Sequence, residues 1–171
     1  MRLVLLLLFA DAASNKVLLD AARAGDRNSQ IEAVLLHRKG ALPELASNQA
    51  NLWFQQSLIA KHPAACLEQA KTLIETNIET KISPKKTPEE MLRCAALSRL
   101  PEAQYLLGRL ILNRTAAEDE HQRFEGLAYL ALSAKAGYAP GLRRWALLLA
   151  DLTQEDLERV QQKVNDLVSG R

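Results

Sequence analysis

The chain is poor in the residues that build sheets and tight turns. Aromatic residues occupy 5% of its 171 positions, with only seven glycines and six prolines. Few turn formers and few β-branched residues exclude a many-stranded sandwich or barrel. Charge of one sign is also lacking. Lys and Arg number 22 against 20 Asp and Glu, a net charge of +2, which gives no bulk attraction to nucleic acid. There is no Gly-x-Ser-x-Gly elbow, no phosphate-cradling glycine loop and no dinucleotide fingerprint. What remains is rich in Ala and Leu, 48% apolar and 25% charged. That balance describes a soluble, globular, helical chain with the length of one domain or a short repeat array.

Long apolar runs are confined to the start. Met1 and Arg2 supply positive charge, residues 3–10 are unbroken apolar, and Ala10-Asp11-Ala12 has the small-x-small form of a cleavage site. Residues 1–13 therefore read as a short secretory signal, cut near Ala12 or Ala13, which places the mature chain in the periplasm or outside the cell. The alternative is the buried first helix of a cytoplasmic protein. The run is shorter than the about 20 residues that a membrane-spanning helix needs, so no integral membrane segment is expected after cleavage. Export would permit a disulfide, and Cys66 and Cys94 offer one possible pairing. Their alternative is two buried thiols packed as small apolar groups.

A repeat organises the rest. Pro63, Pro101 and Ala139 stand 38 apart, and Ala65, Ala103 and Gly141 follow in step. Ala70, Gly108 and Ala146 keep a small residue at the same spacing, and Leu73, Ile111 and Leu149 an apolar one. Trp53, Met91 and Tyr129 are always large, while Ser57, Ala95 and Ser133 are always small. One offset aligns six columns that each hold their size class. Each copy is expected to hold two helices that bury their apolar faces only by stacking on neighbours. Pro63, Pro101 and Pro140 suit helix starts, where a missing N–H does no harm. Thr87-Pro88-Glu89-Glu90 predicts a capping box, and residues 153–156 predict a weaker cap for a final helix over about 154–168. Residues 123–135 read as a helix interrupted only by Gly126. Residues 16–24 and 30–37 read as a leading pair broken at Gly25-Asp26. The basic run 81–86 and the acidic run 118–120 read as solvated connectors.

Ala103-Gln104-Tyr105-Leu106-Leu107-Gly108 with Leu110 resembles the first helix of a Sel1-like repeat. Residues 126–139, from Gly126-Leu127-Ala128-Tyr129 to Ser133-Ala134-Lys135-Ala136-Gly137-Tyr138-Ala139, resemble its second helix and the following turn. Leu152-Thr153-Gln154-Glu155-Asp156-Leu157 is similar to the helix that closes such arrays. The likeness spans about 101–165, persists only as the period over about 48–100, and lacks the glycine-rich loop usual within a unit. It implies an all-α fold: a right-handed α-solenoid of antiparallel helix pairs, related to tetratricopeptide arrays, with about eight or nine helices. One domain over 14–171 would comprise a leading pair at 15–40, repeat units at about 48–152 and a closing helix at 154–169. The resemblance also implies a protein-binding module of the bacterial cell envelope, an adaptor or assembly factor. The alternatives are a periplasmic immunity protein against a secreted toxin and, remotely, a cell-wall enzyme.

No catalytic site, cofactor or metal site is expected. His37, His62 and His121 are scattered without metal-ligand spacing and read as surface residues. His62 and Cys66 lie four apart, but Pro63 at a helix start favours a structural reading. Glu89 and Glu90 read as cap and dipole partners. Asn113-Arg114-Thr115 has the form of a glycosylation acceptor. The partner-binding face is expected on the first helices of successive pairs, where Arg109, Arg143 and Arg144 would present a basic stripe to an acidic protein. Trp145, aligned with Leu107, is expected in the core.

Overall fold

A computed structural model describes residues 2–76, 87–114 and 119–170, with side chains from residue 13 onward. Nine helices occupy these residues: α1 (Arg2–Arg23), α2 (Arg27–Arg38), α3 (Ser47–Ile59), α4 (Pro63–Thr76), α5 (Pro88–Leu97), α6 (Pro101–Arg114), α7 (Glu120–Lys135), α8 (Ala139–Leu149) and α9 (Gln154–Ser169). No strand occurs among the described residues. The basic run 81–86, Glu118 and Thr115 lie outside the described residues. Packing divides the chain into two compact units, Met1–Ala65 and Cys66–Arg171.

The period is written into the helix ends. Lys61, Arg99 and Gly137 lie 38 apart and all adopt left-handed backbone, with φ of 54°, 61° and 78°. Each follows the last turn of α3, α5 or α7 and closes the same motif. The N–H groups of Lys61, Arg99 and Gly137 donate to the carbonyls of Leu58, Ala96 and Ala134, and the next residues reach back to Ser57, Ala95 and Ser133. This paired Schellman arrangement satisfies carbonyls left open by the helix end and turns the chain directly into the next helix. The column Ser57, Ala95 and Ser133, whose carbonyls accept these bonds, is buried. Gly25 and Gly40 repeat the motif after α1 and α2 with glycine, the residue that bears positive φ without strain.

In the first unit α2 packs on both α1 and α3. Asp26 caps α2 by accepting from the Ser29 N–H at 2.7 Å, and Gln30 donates to the Ala22 carbonyl at 3.0 Å. Ala22, Ile31, Val34, Leu42, Trp53 and Phe54 form the core. The leading helix differs from its expected start near residue 15: α1 runs unbroken from Arg2, because nothing between residues 3 and 24 breaks a helix. No helix of the described residues is long and apolar enough to cross a membrane.

In the second unit each helix packs on the next from α5 to α8, and α9 lies along α7. Thr87 begins α5 with a complete capping box, its hydroxyl meeting the Glu90 N–H at 3.2 Å and the Glu90 carboxylate the Thr87 N–H at 3.0 Å. Thr153 and Asp156 form the same device at α9. Gly126, read in the sequence as a break, is instead a contact. A Cβ on Gly108 would lie 2.7 Å from the Gly126 carbonyl oxygen and 2.9 Å from Leu130 Cγ, and one on Gly126 would meet Leu112 Cγ at 2.8 Å. The backbones of α6 and α7 therefore cross at their closest on two glycines. Next along α7, a Cβ on Gly141 would lie 2.5 Å from Ser133 Oγ, which donates to the Pro101 carbonyl at 2.8 Å. One small serine thus ties α7 to the start of α6 and seats α8. Leu92, Leu107, Ile111 and Tyr129 fill one side of this framework. Phe124, Leu127, Val160 and Val164 fill the other, with Trp145 packed against them. The column Ala70, Gly108 and Ala146 is buried only at its first two members. Ala146 is exposed, with no helix covering it among the described residues.

Gly108→Leu is expected to lower the unfolding free energy of the second unit by about 1–3 kcal/mol or more, since backbone faces the added atoms and cannot yield. Denaturant unfolding followed by circular dichroism measures this. Stability within about 0.5 kcal/mol of the parent would show that the glycine crossing is not a tight contact.

Candidate functional site

The face formed by α6 and α8 carries the three arginines singled out in the sequence. Tyr105 and Arg109 are four apart on α6 and therefore share one side of it. The Arg109 guanidinium carbon lies 5.4 Å from the centre of the Tyr105 ring. Tyr105 in turn packs against Tyr138, with ring centres 5.6 Å apart and planes tilted by 58°. Arg144 approaches from α8, and Tyr105, Arg109, Leu112, Asn113 and Arg144 line a groove of about 420 Å³. Arg143 does not join that lining. Consecutive residues on an α-helix point about 100° apart, so Arg143 and Arg144 diverge. Arg143 stands near Tyr138, whose hydroxyl is pushed above its ordinary range by partial burial, with Glu102 and Tyr105 adding to the shift and Lys71 and Arg143 opposing it. The expected stripe of three is thus a pair, Arg109 with Arg144, plus a neighbour near Tyr138. Leu147, three residues beyond Arg144, is 68% exposed and extends the face with apolar surface.

The state of these charges sets the face apart. Four other arginines of the same unit, though not Arg99, pair with carboxylates, and most of these pairs join helices. Arg93 on α5 pairs with Glu125 on α7 and with Glu89, and Arg114 also reaches Glu89. Arg123 on α7 meets Asp156 on α9, and Arg159 on α9 meets Glu120 and Glu155. Glu125 and Glu89 hold the Arg93 guanidinium above its ordinary value against the cost of its burial, Glu125 acting most strongly. Arg109, Arg143 and Arg144 meet no carboxylate among the described residues. Glu102, a carboxylate of the same region, is engaged by Lys71 at 3.4 Å. The face therefore presents uncompensated guanidinium beside tyrosine and leucine, the mixture that protein interfaces favour. In the sequence Tyr105 and Tyr138 stood out only as parts of the repeat motif, and the four-residue spacing of Tyr105 and Arg109 is the signal that ties them to this face.

The histidines serve the fold. His37 donates from Nδ1 to the Leu42 carbonyl at 3.1 Å and accepts from the Ser47 hydroxyl at 3.3 Å, bracketing the turn between α2 and α3. His62 donates from Nε2 to Asn28 at 3.0 Å, while its buried Nδ1 meets no polar partner, and burial holds this imidazole below its ordinary value. These two are partly buried, contrary to the surface placement expected for all three, because each spans a helix connection. His121 is exposed and takes a hydrogen bond from Lys163 at 3.3 Å. No group of three or more His, Cys, Asp or Glu able to hold a metal occurs among the described residues.

No family model matches the chain, and no curated protein matches it. Among solved structures it is similar to c5321, a protective antigen present in uropathogenic Escherichia coli strains, which displays the Sel1-like repeat fold. The match has a TM-score of 0.59 at 19% identity and covers 94% of this chain but 34% of that protein, so the chain spans about a third of its neighbour's length. The likeness shows the fold alone: an all-α helical fold of the Sel1-like repeat kind, as the resemblance implied.

Cys66 on α4 and Cys94 on α5 are joined in a disulfide, with Cα atoms 6.2 Å apart and both residues packed in the core beside Leu92 and Leu107. The sulfur of Cys66 is thus tied up, which removes any nucleophile-and-base pairing with His62. The bridge closes a loop of 28 residues. Reducing it is expected to cost the second unit about 3–4 kcal/mol, by the chain entropy restored to the unfolded state. Denaturant titration with and without reductant measures this, and a loss under about 0.5 kcal/mol would show that the bridge adds nothing to the fold.

Proposed function

Given a chain with the Sel1-like repeat fold, we propose that it is a non-enzymatic protein-binding module, an adaptor or assembly factor whose α6–α8 face docks an acidic partner. The observation that carries this is the contrast in charge compensation. Arg93, Arg114, Arg123 and Arg159 each hold a carboxylate, whereas Arg109, Arg143 and Arg144 are exposed and hold none. Arginine in that state, set against Tyr105, is preorganised for bidentate pairing with carboxylates, and the ring restricts the guanidinium before the partner arrives. The groove between Tyr105, Arg109 and Arg144 would take the partner's acidic side chains, and Leu147 would meet its apolar ones. Such a face acts mainly through encounter rate and choice of partner, so binding should weaken as salt rises.

The compartment proposed is the bacterial envelope, periplasmic or secreted, on the strength of Met1-Arg2, the apolar run at 3–10 and the small residues at 10–13. The disulfide suits an oxidising compartment, and the description of the structural neighbour as a protective antigen supports export.

Affinity capture from envelope extracts with the parent chain and with Arg109→Glu/Arg143→Glu/Arg144→Glu tests the docking face. Capture of an acidic protein by the parent, lost by about tenfold or more in the variant with its helicity intact, is the expected result. Retention of the same proteins by the variant would reject this face. For the compartment, mass spectrometry of the mature chain is expected to find a new N-terminus near residue 13, and an intact Met1-Arg2 would contradict export.

A further inference from the structure

Helix α8 leaves open a face that its counterparts on α4 and α6 keep covered. Three columns of the repeat, 66–104–142, 70–108–146 and 73–111–149, lie four and three residues apart, so each trio shares one side of its helix. On α4 the trio is Cys66, Ala70 and Leu73, all buried. Cys66 and Ala70 share a core with Leu92 and Ala95 of α5, and the disulfide to Cys94 fastens the two helices. On α6 the trio is Gln104, Gly108 and Ile111, again buried. Here α7 is the cover, with Gly126 and Leu130 at Gly108 and Tyr129 in one core with Ile111. On α8 the trio is Leu142, Ala146 and Leu149, and all three are exposed, Leu142 at 48% and Leu149 at 41%.

The next helix does not take the covering place. α9 lies along α7 instead, with Val160 and Val164 in one core with Phe124 and Leu127. Trp145 and Leu148 of α8 pack against that core, which leaves the neighbouring side with the trio uncovered among the described residues. The earlier units show what such a trio accepts. Ala70 is fully buried, so the middle position takes a methyl group under a covering helix. Leu92 of α5 and Leu130 of α7 stand 38 apart and are both fully buried, and Leu130 lies directly at Gly108. The covering helix thus brings leucine to the small residue of the trio.

We propose that the open side of α8 docks an amphipathic helix of a partner protein, which takes over α8 the place that α7 takes over α6. Its apolar face brings a leucine to Ala146, as Leu130 comes to Gly108, and a small residue four positions earlier, as Gly126 does. Leu142 and Leu149 then close on either side of that leucine. The surface continues an interface already built in this chain, and that interface is met by helix in both earlier units. A second copy is the poorer occupant, because α3, α5 and α7 already bury the residue of this kind, as Phe54, Leu92 and Leu130. Arg144 and Leu147 point away from the trio by helical rotation, so this docking is independent of the acidic partner proposed for the arginine face.

The test uses the full chain, isotope-labelled at its methyl groups for NMR, and a capped peptide of residues 119–136, the α7 sequence, as probe. The peptide is expected to shift the methyl signals of Leu142, Ala146 and Leu149 to saturation, and the same peptide with Leu130→Ser to bind about tenfold more weakly. Ala146→Glu changes an exposed helix position, so helicity should stay intact while the peptide binds about tenfold more weakly. Unmoved signals on α8, equal binding of the two peptides, or unchanged binding by Ala146→Glu would each overturn the proposal. So would shifts confined to Leu107 and Ile111, which would mark exchange with the α7 already in place. Dimers of the chain alone that Ala146→Glu abolishes would overturn it too, by making the occupant a second copy.

Discussion

The close crossing of α6 and α7 on Gly108 and Gly126 is the contact from which the second unit takes its geometry. At that point the backbones approach within the space that one methyl group would fill. Leu112 and Leu130 flank the crossing and fix its rotation. Two turns farther on, Ser133 reaches the Pro101 carbonyl and leaves room only for Gly141, which sets where α8 begins. The position of Arg144 relative to Arg109, and so the groove between them, follows from these small residues rather than from any contact between the arginines themselves. Interiors packed this closely do not yield by fractions of an ångström without cost, so the face is as rigid as the crossing beneath it.

The 38-residue period is a property of backbone as much as of side chains. Helix ends at 61, 99 and 137 share one left-handed turn and one pair of reach-back hydrogen bonds. This turn, closed by a small residue at 57, 95 and 133, delivers the chain into α4, α6 and α8 at a constant offset. Electrostatics then divides the labour. Ion pairs between α5, α7 and α9 brace the second helices, and the disulfide fastens α4 to α5. The first helices α6 and α8 also carry Arg109, Arg143 and Arg144, which meet no carboxylate among the described residues.

Much of this was legible in the sequence because repeats express packing as size classes. The columns 57–95–133 and 53–91–129, the capping box at Thr87 and the pairing open to Cys66 and Cys94 all lie in residue identity and spacing. What escaped depends on depth and rotation. Gly126 looked like a helix break, since propensity alone cannot tell a weak position from a backbone contact. Arg143 and Arg144 looked equivalent as neighbours in the chain, although about 100° of helical rotation sends Arg143 towards Tyr138 and Arg144 to the groove that Tyr105 lines. Ala146 belonged to a column of interface residues, but its place on the last first-helix leaves it exposed.

Binding by this fold needs no reactive group. In the proposed reading, a helical framework holds guanidinium groups that no described carboxylate pairs with, and an acidic partner would complete the compensation. The central claim is that two glycines bring α6 and α7 into backbone contact and thereby register the helices that carry the face. Proton–proton nuclear Overhauser effects between the α-protons of Gly108 and Gly126, and from Gly108 to the Leu130 amide, read that contact directly. Strong cross-peaks at both, with a companion between Gly141 and Ser133, are the predicted result. Their absence in a chain whose helices are otherwise intact would contradict it.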